Sequence, residues 1–224
     1  MRRYDGGVEP AARPDLSRTW ALVPIRGLET AKTRLGGDLD AEERRDLVVD
    51  LLRRTLVATR GSRRIAGTIV VTMDPAAAGI AGELRAIGHV ERAPGLNAAI
   101  SAARSLAVAR GASAVLVLPA DLPAISAEVI DTLIAQAEVA EADVPCDRLV
   151  AMVTDQHGEG TNALLLAPPR VIDPAFGPAS RDLHRAAARG AGAVFLELDG
   201  PLSLDVDTTE DLKLAEAALG SLRG

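Results

Sequence analysis

Cysteine is almost absent from this chain: Cys146 is the only one among 224 residues. One cysteine excludes an internal disulfide and any metal site built on a cysteine cluster. It stands between Pro145 and Asp147 in a loop-like stretch, and with only three histidines in the chain an incidental thiol is the better reading than a catalytic one. Aromatic residues are nearly as scarce at 2%, one Trp, one Tyr and two Phe. Nucleic-acid surfaces rely on aromatic stacking and a basic excess. A net charge of −6 and a pI near 5.2 remove the second of these as well, so no nucleic-acid partner is expected. No apolar run approaches the ~20 residues that cross a bilayer. The opening MRRYDGGVEPAARPDLSR holds no signal-like apolar stretch either. The expectation is a cytoplasmic protein with no membrane partner, residues 1–18 forming a disordered extension and residues 19–224 one domain.

What is present is ample material for a core. Hydrophobic residues make up 48%, mostly Ala, Leu and Val. Strand and helix signals alternate from Thr19 onward. Trp20–Ile25 reads as a buried strand, and Asp40 caps a helix of about 20 residues whose apolar stripe is Leu47, Val48, Leu51, Leu52 and Leu56. Thr68–Met73 is a second strand; Ala76–Ile87 reads as a helix and His89–Arg92 as a brief strand. Leu96–Arg110 is a helix closed by Gly111, and Ala114–Leu118 is the clearest buried strand. A helix over about Ala127–Ala140, capped by Ser126, precedes two adjacent strands, Leu149–Val153 and Ala163–Leu166. Ser180–Arg189 is a helix, Ala193–Leu198 a strand, and a last helix begins near Thr209. Uniformly apolar strands between helices indicate a three-layer α/β domain with a mostly parallel sheet, the adjacent pair making a local antiparallel excursion. Ligands of such sheets bind in loops after the strands' carboxyl ends.

Six loops carry chemistry. After the first strand, Arg26, Lys32 and Arg34 are three cations in nine residues, suited to a triphosphate, although charge alone also fits a solvated basic loop. Asp121 lies just past the best buried strand, bracketed by Pro119 and Pro123, where a carboxylate can hold Mg²⁺. Asp205 and Asp207 are two apart and share a side in extended chain, so they repel unless a cation intervenes. The three aspartates form one metal cluster if the two loops are neighbours. Gly158–Ala163 formally matches G-x-G-x-x-A, but a strand and two prolines follow instead of a helix, which excludes a dinucleotide-binding turn. Its Thr161 and Asn162 still offer groups to a small anion. In Phe176–Ser180 a helix start with a Ser cap makes a phosphate site, with simple capping as the alternative; His184 lies one turn on and, like His157, reads as core or surface. Arg92–Asn97 faces a nucleotide base or simply starts a helix, Asn97 matching a purine edge.

The runs VPIRGLETAKTRL, PGLNAAI, LPADLP, GTNALLL, FGPAS and DVDTTEDL occur in that order. Together they resemble the phosphoenolpyruvate/2-phospho-L-lactate guanylyltransferases of coenzyme F-420 biosynthesis, over about Trp20 to Leu219. That resemblance implies the nucleotide-diphospho-sugar transferase-like fold, with GTP and a small phosphorylated acid as substrates. It implies that Asp121, Asp205 and Asp207 hold Mg²⁺, and that Lys32 and Asp121 are catalytic. Arg26, Lys32 and Arg34 would meet the phosphates, Pro94, Gly95, Leu96 and Asn97 the guanosine, and Thr161, Gly177 and Ser180 the acid. The first loop departs from the wider superfamily in lacking its Gly-rich turn, so side chains must carry more of the triphosphate binding. GTNALLL is closer to the phospholactate enzymes, whereas the Arg- and Ala-rich composition favours phosphoenolpyruvate. The alternatives are a molybdenum-cofactor-type or other nucleotidyltransferase, and a non-catalytic nucleotide-binding module. A homodimer is compatible with each reading.

Overall fold

The computed structural model describes residues 13–29, 31–32, 35, 37, 39–91, 95–141 and 146–220. Within them the alternation read from the sequence becomes one mostly parallel sheet of seven strands, ordered β3-β2-β1-β4-β6-β5-β7. The strands are β1 (Thr19–Ile25), β2 (Ile65–Thr72), β3 (Ile87–Val90), β4 (Ala114–Val117), β5 (Leu149–Val153), β6 (Ala163–Ala167) and β7 (Val194–Glu197). The helices are α1 (Ala41–Gly61), α2 (Pro75–Glu83), α3 (Leu96–Ala109), α4 (Ala127–Glu141), α5 (Ser180–Gly190) and α6 (Thr209–Leu219). The antiparallel excursion is β6 alone, which runs against both β4 and β5.

Burial explains the uniformly apolar strands. In β4, Ala114 and Leu116 pack on one face with Ile130, Ile134 and Ala137 of α4. Val115 and Val117 pack on the other with Ile100, Ala103 and Ala107 of α3. Each of the four strand residues is 0% exposed, so neither face tolerates a polar position. Helix α1 begins as the sequence implies: the Asp40 side chain accepts the Glu43 N–H and the Glu43 carboxylate accepts the Asp40 N–H, both at 2.9 Å.

Several boundaries differ from the sequence reading, and β2 starts three residues earlier than expected, at Ile65. The second helix ends at Glu83 rather than Ile87 because Arg85 turns into the left-handed region (φ 63°) and Ile87 joins the parallel ladder opposite Ile69. The strand that follows starts two residues early, and Gly88 lets it lie against α2; a Cβ there would sit 2.3 Å from the Ala78 carbonyl oxygen. Residues 13–18, assigned above to the extension, belong to the fold. Leu16 is in the core, Arg18 donates to the Arg110 carbonyl at 3.1 Å, and the Arg18 N–H bonds Ser113.

Strand order places the candidate chemistry. From β1 the chain steps outward in one direction to β2 and β3, then returns to add β4 on the opposite side of β1. The loops leaving β1 and β4 therefore diverge, and the crevice between them is the natural ligand site of an open α/β sheet. The basic loop and the Asp121 loop are these two.

Candidate active site

Lys32 and Asp121 meet across that crevice. The Lys32 Nζ lies 2.8 Å from Asp121 Oδ2 and 2.7 Å from Asp207 Oδ1, with its side chain 8% exposed. Lys32 reaches this position from a backbone with φ 57°, a conformation that costs energy outside glycine and recurs at functional sites. The loop carrying Asp205 and Asp207 is joined to the Asp121 loop by a hydrogen bond from the Val206 N–H to the Asp121 carbonyl, 3.1 Å. This contact makes neighbours of the two acidic loops. One carboxylate oxygen from each of Asp121, Asp205 and Asp207 lies within 4.8 Å of the others.

The charges in this cluster oppose and balance one another. Burial would lower the pKa of the Lys32 ammonium, but the Asp121 and Asp207 carboxylates outweigh it, and the net shift is upward. Burial raises the Asp205 pKa; the Asn162 hydrogen bond opposes this, while the charges of Asp121 and Asp207 add to it. A desolvated carboxylate beside two others favours a cation more than one lysine supplies. Three hard oxygen donors at this spacing fit Mg²⁺, with substrate oxygens and water completing its shell.

Several residues that shape the cluster carried no sequence signal for that role. Asn162, read above as an anion contact, turns inward: its Nδ2 donates to the Leu202 and Ser203 carbonyls and to Asp205 Oδ1 at 3.1, 3.0 and 3.1 Å. It fixes both the Asp205 carboxylate and the turn before it. Asp211 Oδ2 accepts the Asp207 and Thr208 N–H groups at 3.1 and 2.8 Å, and Gln156 Nε2 holds Asp211 Oδ1. Thr208 caps α6 through a capping box with Asp211. Asp74 both caps α2 and accepts the Leu28 N–H at 3.0 Å, tying the basic loop to the end of β2.

A cleft of about 1280 Å³ opens from the cluster along the carboxyl ends of β1 and β2 toward β3. Arg26, Lys32, Asp121 and Asp207 line one end, and Met73, Glu91, Gly95 and Leu96 the other. It is large enough for a nucleoside triphosphate. Arg26 is exposed at its rim. Arg34 and Pro94, expected at phosphate and base respectively, lie outside the described residues. Asn97 does not line the cleft; its Nδ2 donates to the Phe176 carbonyl at 3.0 Å, and its Oδ1 accepts the Phe176 N–H at 2.8 Å.

Thr161 and Ser180 come together as expected, but in a buried network. The Ser180 hydroxyl donates to Thr161 Oγ1 at 3.0 Å, and His184 Nδ1 lies 3.1 Å from the same oxygen. The expected Ser180 cap is corrected: Ala179, at φ 57°, is the N-cap of α5 and makes no side-chain cap bond. Ser180 thus falls one position inside the helix, where its hydroxyl faces Thr161. His184 is 0% exposed, and burial holds its pKa down at about 4. Its Nε2 accepts the Ala175 N–H at 2.9 Å, so the neutral ring carries its proton on Nδ1 and donates it to Thr161. Gly177, at φ 128°, holds a conformation that disfavours any other residue.

Known proteins match this architecture at two levels. Among solved structures, one described as a nucleotide-diphospho-sugar transferase of Desulfovibrio desulfuricans superposes with a TM-score of 0.70 at 17% identity, covering 90% of this chain and 87% of that one. A 4-diphosphocytidyl-2C-methyl-D-erythritol synthase gives a TM-score of 0.60 at 14% identity, covering 91% and 99%. These likenesses establish the fold. The phosphoenolpyruvate guanylyltransferase of Sphaerobacter thermophilus is 40% identical over 196 residues, 87% of this chain and 91% of its own. That of Rubrobacter xylanophilus is 40% identical over 204 residues, 90% and 95% of the two chains. The family model "Guanylyl transferase CofC like" matches residues 19–217, and with this fold and these relatives the chain belongs to the CofC-like guanylyl transferases, a family of nucleotidyltransferases.

Proposed function

We propose that the protein transfers GMP from GTP to phosphoenolpyruvate and releases pyrophosphate, a step of coenzyme F-420 biosynthesis carried out in the cytoplasm. The observation that carries this reading is the cluster of three aspartates with Lys32 among them, at the topological switch point of the sheet and at one end of a nucleotide-sized cleft. The choice of acid rests on relatives at 40% identity that bear the phosphoenolpyruvate guanylyltransferase name.

In this mechanism the phosphate of the acid attacks the α-phosphorus of GTP in line. A P–O bond forms to the acid, the α–β phosphoanhydride bond breaks, and pyrophosphate leaves with the bonding pair. A phosphate dianion is already deprotonated near neutral pH, so no general base is required. His184 fits that economy, since both of its nitrogens are committed to hydrogen bonds and its low pKa keeps it neutral. Asp121, Asp205 and Asp207 would hold Mg²⁺, which neutralises the triphosphate and the charge that builds on the leaving group. Lys32 and Arg26 add positive charge along the phosphates, and Asn162 and Asp211 hold the Asp205–Asp207 loop rigid so that little reorganisation accompanies the reaction. Gly177, Thr161 and Ser180 bind and orient the acid.

The test is pyrophosphate release from GTP and Mg²⁺ with phosphoenolpyruvate, 2-phospho-L-lactate and 3-phosphoglycerate supplied in parallel. Release with phosphoenolpyruvate alone is expected; folded protein that releases none with it refutes the assignment.

A further inference from the structure

Segment 172–176 crosses from the end of β6 toward α5 with no strand or helix of its own, yet side chains grip it at successive points. Arg104 of α3, itself 5% exposed, donates from Nη1 to the Ile172 carbonyl at 2.7 Å and from Nη2 to Asp173 Oδ1 at 2.8 Å. His184 of α5 accepts the Ala175 N–H. Asn97 binds both backbone groups of Phe176, and the Phe176 ring meets His184 edge-on at 5.2 Å. Asn97 and Arg104 are seven residues apart, two turns of α3, so one face of that helix supplies two of the three anchors. Immediately after the last anchored residue comes Gly177, with its fixed positive φ.

We propose that Asn97 is a positioning residue for the acceptor acid rather than a reader of the guanine base. Its amide locks Phe176, and through it Gly177, to the start of α3, where the N-cap Gly95 and the first helical residue Leu96 line the nucleotide cleft. The planar amide pairs with Phe176 as a neighbouring strand would, donating to the carbonyl and accepting from the N–H, and this orients the side chain along the acceptor loop. Arg104 holds the other end of the segment. One helix thereby registers the acid's loop against the nucleotide's, and the separation of the reacting phosphates depends on that register. The inference rests on the reading that Gly177, Thr161 and Ser180 bind the acid.

The experiment compares wild type with Asn97→Ala and Arg104→Met, each checked for its fold by circular dichroism, varying GTP and phosphoenolpyruvate separately and replacing GTP by ITP. Both variants should raise the KM for the acid by about 10-fold, less than the roughly 100-fold that a ~1 Å misplacement can cost because the acid's loop keeps its other anchors. The KM for GTP and the GTP-over-ITP preference should stay at wild-type values, because the base is read elsewhere. A raised GTP KM or a lost GTP preference in Asn97→Ala overturns the proposal. Amide hydrogen exchange at Phe176 supplies a readout that does not depend on turnover: it should accelerate at least 10-fold in Asn97→Ala. Unchanged exchange overturns the proposal too. Should wild type release no pyrophosphate at all, the functional reading fails while the exchange measurement still decides what Asn97 holds.

Discussion

His184 should make this protein lose stability in mild acid. In the unfolded chain its imidazole titrates at the ordinary value near 6.5, and in the fold at about 4. Above pH 6.5 neither state is charged and the residue contributes no pH dependence. As pH falls below 6.5 the unfolded chain takes up a proton that the folded one refuses, so stability drops, and the drop levels off only below about pH 4. At pH 4.5 this difference amounts to about 2.5 kcal/mol relative to pH 7. The protein's chief defence against it, accepting the proton, would put a charge at a site with 0% exposure and break the hydrogen bond from the Ala175 N–H to Nε2. The variant His184→Gln retains one acceptor and one donor but cannot titrate. Urea unfolding followed by circular dichroism at pH 7 and pH 4.5 tests the idea. Wild type should lose about 2.5 kcal/mol more than the variant between the two pH values, whatever the variant's starting stability. Parallel losses, within about 0.5 kcal/mol of each other, would refute the buried neutral imidazole.

Asp121→Asn should lower turnover on the order of 100-fold or more, since it removes one charge from the proposed cation site, while the melting temperature stays near that of wild type. Lys32→Met should cost about 1–2 kcal/mol in the presence of chelator, because three aspartates then lack their counter-charge and two of them are partly exposed. Millimolar Mg²⁺ should restore more stability to this variant than it adds to wild type; equal gains in a thermal melt would count against a shared cation site. Gly88→Ala should destabilise the fold by about 1–3 kcal/mol, since its new Cβ meets the Ala78 carbonyl; a thermal melt unchanged from wild type would show that α2 yields freely.

The periodic signals were legible in the sequence because they are local. Runs such as Ala114–Val117 announce a strand buried on both faces, and Asp40 as a cap before an apolar stripe announces the start of α1. The candidate loops could be located for the same reason: each follows a recognisable strand. Side-chain engagement was far less legible. Asn162 looked like an anion contact and instead holds Asp205, 43 residues away. Ser180 looked like a helix cap, but the left-handed turn at Ala179 moved it inward onto Thr161. Asn97 looked free for a base, and its amide is bonded to Phe176, 79 residues on.

By itself the sequence determined the layered α/β class, the order of the elements, the absence of an internal disulfide and the identity of the three aspartates. Those properties follow from composition and from hydrogen bonding and burial repeated over a few residues, which any window of the chain already contains. Only the tertiary structure decided that Asp121, Asp205 and Asp207 converge around Lys32, that Thr161, Ser180 and His184 form one buried network, and that α3 grips the Phe176 loop. These depend on the β1–β4 switch and on β6 inserting antiparallel between β4 and β5. The sheet brings residues up to 175 positions apart within hydrogen-bonding distance, and no local pattern encodes which of them will meet.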